Sequence, residues 1–421
     1  MGFIDCDSHV LEVPETWDYL DPSEEHFRPQ IARFEEGSVI RLGARAKNSA
    51  LPRTPSQIYI YGDSWSRFIP AHGAMSPHVN MYKPGILDLT DPKARIDTMD
   101  ALGVDVQVVF STFYIGAEVD NPLEEAALSR SYNRWVAERL AGHTDRLRWV
   151  LRPPVRMLER AFEEIEFGAN HGAAGIHLRG IEHGMYLCDP YFYPLYERAQ
   201  DLNLPILVHN GSTIRHVPGI PIGNFVPQPP ALMLQLYGLM CAFHAVLGSD
   251  LSERFPRLRW AFIEGGAAFA IPVMHQHARR DMSIGVQPFL DARMPTPEDL
   301  ERMNMFVALE TDEDVPYLAK VLGRQNLVVG TDFGHNDLGT EVGAHQTVLA
   351  REDVGSELAA GIVQGNARRL LDIAPSFTPA PIAADSQDTP NIQAATGGPA
   401  IIVPSWLRDR PRNPSESLES V

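Results

Sequence analysis

Lysine is what this chain most lacks: there are four in 421 residues, Lys47, Lys83, Lys93 and Lys320. With 36 basic against 54 acidic residues the formal charge is -18, and no Lys/Arg run offers a stripe that could track a phosphate backbone, so nucleic acid is not an expected partner. A charge of that size also repels small anions at long range. An anionic substrate therefore needs a locally positive pocket supplied by a metal ion or by arginine. Cysteine is scarce as well: Cys6, Cys188 and Cys241 are an odd number at wide spacing, which suits a reducing compartment and not a disulfide framework. No run of 18 or more apolar residues occurs, and MGFIDCDSHV has no basic region ahead of an apolar stretch, so the expectation is a cytoplasmic protein without a membrane anchor. Also missing are a glycine-rich dinucleotide turn, a Walker sequence and a G-x-S-x-G elbow.

What is present is the composition of a globular enzyme, 44% hydrophobic and 21% charged, with enough apolar residues for a large core. A short strand at Phe3 to Ile4 runs into Asp7 and His9. The stretch from about 20 to 92 then reads as an irregular insertion, a lid or subdomain rich in Pro and Gly and carrying Tyr59, Tyr61, Trp65, Arg53 and Arg67. From Pro92 onward helical periodicity alternates with β-branched runs. KARIDTMDALG ends at Gly103 and leads into VDVQVVF; helices at LEEAALSRSYNRWVAERLAG, MLERAFEEIEFGANHG and DPYFYPLYERAQDLN precede the strands LRWVLRP, AAGIHLRG and LPILVHNG. Strands LRWAFIEGG, MFVALET and NLVVGTDFG follow, with a closing helix to Ile373. Eight strands near residues 4, 106, 149, 176, 206, 261, 307 and 328, separated by helices, predict an α/β fold of the (β/α)8 TIM-barrel type over residues 1–373. A doubly wound open sheet is the competing architecture. Residues 374–421 hold 8 of the 34 prolines and read as a largely disordered Pro/Ala/Ser-rich tail.

The chemistry-bearing residues fall at strand ends. Asp7 and His9 stand two apart, so strand alternation places both on one face, toward the mouth. His209 ends PILVH and Asp332 ends LVVGTD, both at the C-terminal rim where barrel active sites lie. Two imidazoles and two carboxylates form a borderline-to-hard donor set for one divalent ion. Zinc is the first expectation, and manganese or iron(II) are the alternatives. Glu264, in IEGG at the sixth strand end, and Asp332 are the candidate catalytic carboxylates. His177 and Arg179 share a face of the fourth strand and either read a substrate carboxylate or phenolate or are satisfied by packing. His244 in a helical run, His335 three residues after Asp332, and Arg67 complete the candidate substrate contacts. His275 and His277 read as surface or interface residues.

Several segments in order, DCDSHVLE, RIDTMDALGVDVQVVF, DPYFYPLYERAQDLNLPILVHNG, ERFPRLRWAFIEGGAAF, GTDFGHND and GNARRLL, resemble the amidohydrolase superfamily. The resemblance spans Phe3 to about Ile373 and falls in the branch of aminocarboxymuconate-semialdehyde decarboxylase and the hydroxybenzoate decarboxylases. It implies metal ligands at Asp7, His9, His209 and Asp332. It also implies a small-molecule substrate and a homo-oligomer, a dimer by family analogy. One departure stands out: the resembling decarboxylases carry a His before the two glycines of the sixth strand, and this chain has Glu264. The fourth strand lacks the lysine that bridges two metals elsewhere in the superfamily, so a binuclear centre is not expected.

Two reactions fit. Nonoxidative decarboxylation of a small aromatic or unsaturated carboxylic acid is the first expectation. Attack of a metal-activated water on an amide, ester, lactone or vinylogous acyl group is the alternative, which Glu264 as a general base favours. A non-catalytic, ligand-binding barrel is the third reading, which loss of a metal ligand would support; none is lost.

Overall fold

The run FIDCDSHV is buried along its whole length, as a strand covered on both faces must be. In a computed structural model that describes residues 2–33, 57–62, 64–67, 82–211, 229–280, 294–335 and 339–374, this run is β1 (Phe3–Val10). Seven more parallel strands follow: β2 (Val104–Ser111), β3 (Leu147–Leu151), β4 (Gly175–Leu178), β5 (Ile206–His209), β6 (Trp260–Ile263), β7 (Met305–Leu309) and β8 (Leu327–Val329). Their order in the sheet is their order in the chain. The ring closes where the segment after β8 returns to β1: Asp332 N–H donates to the Asp7 carbonyl at 2.9 Å and His9 N–H to the Phe333 carbonyl at 2.7 Å. All eight expected strands are present, and the chain is a (β/α)8 barrel.

Alternation sorts the strand residues into two layers. Ile4, Val108, Phe110, Leu207, Ile263 and Phe306 pack inside the ring, while Val109, Val208 and Phe262 face the helices. Each such buried side chain contributes about 1.5–3 kcal/mol relative to an exposed one. The helix Pro92–Leu102 is typical of the outer layer: Asp91 caps it through Ala94 N–H, and Gly103 ends it at φ 77, a left-handed value that glycine adopts without strain.

β1 departs from regular pairing in a way that makes the site. Asp5 pairs with Gln107 and Ser8 with Val109, so three steps on β1 match two on β2, a bulge. Ile4 and Cys6 face the interior. The extra residue resets the alternation, so that Asp7 and His9 also face the mouth instead of the helices. Arg95, fully buried, braces this distorted strand: its guanidinium donates to the His9 carbonyl at 2.7 Å, to Ser8 Oγ at 3.2 Å and to Gln107 Oε1 at 2.9 Å.

Part of the insertion is ordered as a three-stranded antiparallel sheet, Gln30–Arg33, Gln57–Tyr61 and Ser64–Arg67, where the sequence reads as irregular. The QIYIY alternation supplies the reason: Tyr59 and Tyr61 pack their rings against Phe113, and Tyr59 Oη donates to the Glu12 carbonyl. Arg53 and residues 375–421 lie outside the described residues. No helix among the described residues is long and apolar enough to cross a membrane.

A buried ionic cluster sits just beyond the C-terminal ends of β3 and β4. Glu182 accepts from Arg152 at 2.5 and 2.9 Å and from Arg179 at 2.8 Å, with all three side chains at most 2% exposed. Burial opposes its charge, but the two guanidiniums hold the Glu182 carboxyl well below its ordinary range. Replacing Glu182 by Gln leaves two buried cations undercompensated and should cost roughly 3–5 kcal/mol in urea unfolding. Because the folded-state pKa is depressed, this contribution is present above the unfolded value of 4.5 and fades as pH falls below it. An unchanged midpoint would contradict the assignment.

Candidate metal centre

Three strand ends meet at one point. Asp7 and His9 come from β1, His209 is the last residue of β5, and Asp332 lies three residues beyond β8. All four are at most 3% exposed. His9 Nε2 lies 3.2 Å from Asp7 Oδ1 and 3.1 Å from Asp332 Oδ1, and His209 Nε2 lies 3.2 Å from the same Asp7 oxygen. Yet both ring nitrogens of His9, and Asp332 Oδ1, make no hydrogen bond. His209 Nε2 and Asp7 Oδ1 are bonded to each other, whereas His9 and Asp332 Oδ1 are left without a partner beside them, and all of these atoms crowd one point. A divalent cation fits there, and an orphaned buried carboxylate oxygen otherwise carries its full desolvation cost. Two overlapping groups have metal-ligand spacing, Asp7–His9–His209 and His9–Asp332–His335. Both contain His9, whose Nε2 faces both carboxylates, so they describe one centre.

The surroundings orient these donors. His209 Nδ1 is 2.7 Å from the Asn210 carbonyl and 3.4 Å from Glu264 Oε2, which places a ring hydrogen on Nδ1, while Nε2 is hydrogen-bonded to Asp7 Oδ1 at 3.2 Å. Thr340 donates to Asp332 Oδ2 at 2.7 Å. His335 stacks on His9 at 3.7 Å, sets Nδ1 2.7 Å from Asp332 Oδ1 and reaches Thr112 Oγ1 through Nε2 at 3.1 Å. Glu264 and Asp332 have φ values of 62° and 52°, left-handed conformations that cost a non-glycine residue energy and that recur at functional sites. At Glu264 the twist matters directly: Ile263 already faces inward, so regular alternation would turn Glu264 outward.

The other sequence candidates are placed as follows. His177 faces the interior next to Phe110 and His209, with ring centroids 5.9 and 6.0 Å away, and neither of its ring nitrogens has a hydrogen-bond partner. Burial, with Arg152 beside it, pushes its pKa well down, so it is neutral. Arg179 is committed elsewhere, to Glu182 and the Ala117 carbonyl. His244 is exposed on the Pro229–Leu247 helix and meets His277 edge-on. Arg67 lies on the last insertion strand, and its side chain falls outside the described residues. Glu310, directly after β7, belongs to the rim and was not among the sequence candidates. Its signal was the alternation of MFVALE, which puts Glu310 on the face of Phe306 and Ala308.

A closed barrel with acidic and imidazole donors at its first, fifth and eighth strand ends defines a metal-dependent enzyme of the amidohydrolase type. The chain belongs to the Amidohydrolase family, whose model matches residues 4–373. Among curated proteins it is similar to 2-amino-3-carboxymuconate-6-semialdehyde decarboxylase of Dictyostelium discoideum, 20% identical over 292 residues that cover 68% of this chain and 78% of that one. Among solved structures it resembles an amidohydrolase of Mycobacterium avium subsp. paratuberculosis, with TM-score 0.66, 18% identity, 88% of this chain and 99% of that chain. It also resembles a dihydroxybenzoic acid decarboxylase of Polaromonas sp. with bound manganese and the inhibitor 2-nitroresorcinol, with TM-score 0.56, 14% identity, 88% of this chain and 97% of that chain.

Burial opposes a charge on His9, but Asp332 and Asp7 outweigh it and raise its pKa to about 9. Near neutral pH the metal-free imidazole therefore carries a proton that a binding cation must expel. Calorimetric titration in buffers of different ionisation enthalpy should show about one proton released per ion, and affinity should weaken about tenfold per unit as pH drops below that pKa. In His9→Ala both the proton and most of the affinity disappear. Binding without proton release in the unsubstituted protein would contradict the site.

Proposed function

We propose that this enzyme catalyses the nonoxidative decarboxylation of a small aromatic or unsaturated carboxylic acid with one divalent ion held by Asp7, His9, His209 and Asp332. The observation that carries this reading is the single convergent donor set at the mouth. No lysine stands on β4 to bridge a second ion, and the relatives that share the fold include decarboxylases. Zinc is our first assignment for this donor set. Manganese, present in the Polaromonas structure, and iron(II) are the alternatives that elemental analysis separates.

The bound ion supplies Lewis acidity, stabilising charge on the substrate carboxylate and on an adjacent hydroxyl. The chain does the rest. Thr340 and His335 fix the Asp332 carboxylate, and the Asn210 carbonyl with Glu264 fixes the tautomer of His209. His177 offers a neutral imidazole on the barrel floor to a substrate oxygen, a role that Arg179, bound to Glu182, cannot share. Arg67 is assigned to substrate binding from the insertion, the active assembly is a dimer, as the family resemblance implies, and the three widely spaced cysteines suit the reducing cytoplasm.

The hydrolytic alternative needs Glu264 as a general base. Its carboxylate lies against His209 Nδ1 instead, so we assign it the orienting role. Glu264→Gln should then weaken metal affinity by about 10–100-fold while both limbs of the pH–rate profile survive; full metal affinity with one limb lost would reverse the assignment. The reaction itself is tested by offering the metal-loaded enzyme a panel of hydroxybenzoates, unsaturated acids, esters, lactones and amides. Carbon dioxide release from a carboxylic acid is expected. Turnover confined to acyl substrates would overturn the proposal.

A further inference from the structure

Asp332 meets the other donors from an unfavourable backbone. Its φ of 52° is left-handed, and a non-glycine residue keeps such a conformation where its surroundings over-determine it. β8 itself ends at Val329, short of this position. The group that reaches the segment is Asp5, fully buried on β1 opposite Gln107. Its two oxygens take four hydrogens. Oδ1 accepts from Thr331 N–H at 2.9 Å and from Asp7 N–H at 3.2 Å, and Oδ2 accepts from Thr331 Oγ1 at 2.6 Å and from Gln107 Nε2 at 3.1 Å. Thr331 Oγ1 in turn accepts from Phe333 N–H at 3.2 Å. The residues on both sides of Asp332 are thus tied to one carboxylate, which also holds the backbone of Asp7. Gly330 permits the approach, since a Cβ there would overlap Asp7 Cβ and lie 2.9 Å from Asp7 N.

The polarity of this network is set from its far end. Arg95, fully buried, is a donor at every nitrogen, and its Nε donates to Gln107 Oε1 at 2.9 Å. Gln107 must therefore turn its amide hydrogens to Asp5, and the atom they meet must accept. An asparagine of the same shape at position 5 would set one amide donor against another. We propose that Asp5 is a positioning residue of the metal centre: acting through Thr331, its carboxylate holds Asp332 in the conformation that presents Oδ1 to the ion. The inference rests on the metal-binding reading of the site and is independent of the reaction the ion serves. Asp5 lies outside both groups with metal-ligand spacing; it acts on the two carboxylate ligands from behind, through their backbone.

The test uses the full-length protein and two readouts: zinc(II) affinity by calorimetry, and the visible absorption of the cobalt(II)-loaded form, which follows the number and arrangement of ligands. Asp5→Asn should bind zinc about 10–100-fold more weakly and change the cobalt spectrum. Gln107→Glu alone, which sets two carboxylates face to face, should weaken binding as well. Combining the two substitutions gives Arg95 and the new amide a carboxylate to share at position 107, and should restore affinity and spectrum toward those of the unsubstituted protein. Should Asp5→Asn fail to fold, Thr331→Val, which removes the hydroxyl at nearly constant shape, is expected to weaken binding and change the spectrum in its place. Unchanged affinity in the variant that folds, weaker affinity with an unaltered cobalt spectrum, or a loss that the combined substitution does not repair overturns the role while ion binding by the unsubstituted protein stands. Absence of ion binding by the unsubstituted protein overturns the metal centre, and this inference with it.

Discussion

Two buried carboxylates, Asp7 and Asp332, face one buried imidazole, His9, at 3.2 and 3.1 Å without hydrogen-bonding it, and the site depends on what that arrangement requires. Isolated buried charges cost several kcal/mol each unless compensated; a protonated His9 supplies that compensation without a metal, and the cation we propose would take its place. The barrel supplies the necessary rigidity. Closure of the β8 segment onto β1 brings Asp332 to Asp7 through a backbone hydrogen bond, and β5 ends at His209. Arg95 and Asp5 act behind them: Arg95 holds the His9 carbonyl, while Asp5 accepts from Thr331 N–H at 2.9 Å and from Thr331 Oγ1 at 2.6 Å, fixing the residue before Asp332.

The charge balance of the mouth follows from the same arrangement. The chain is acidic overall, Glu310 and Glu313 add carboxylates to the rim, and Arg152 and Arg179, at the ends of β3 and β4, are spent on Glu182. With the arginines among the described residues committed in this way, the positive field that an anionic substrate needs would come from the proposed metal ion. Under the proposed reaction a substrate carboxylate would be drawn to that position, and the surrounding acidic rim would disfavour other orientations of it.

Much of this was legible in the sequence because the barrel repeats one rule eight times. Apolar strand, rim residue and helix recur with enough periodicity to place Asp7, His9, His209 and Asp332 at strand ends before any coordinates are known. What was hidden depends on local backbone geometry or on long-range pairing. The shared inward face of Asp7 and His9 follows from spacing, but the bulge that turns that face toward the mouth appears only in the pairing with β2. Glu264 looked poised for chemistry, and its left-handed backbone is what carries it to His209. Arg179 looked available because its partner Glu182 lies across a short hairpin. The insertion read as irregular, although QIYIY carried a strand pattern. Glu310 was within reach of the alternation argument applied to β7.

X-ray absorption at the metal edge of the loaded protein tests the central claim most directly, namely one ion bound by two imidazoles and two carboxylates from three strand ends. The account predicts a shell of nitrogen and oxygen at about 2.0–2.2 Å, imidazole scattering from two rings that drops to one in His209→Ala, and no heavier neighbour. A sulfur shell at about 2.3 Å, which would bring in Cys6, or a metal–metal vector at about 3.5–4 Å would contradict it.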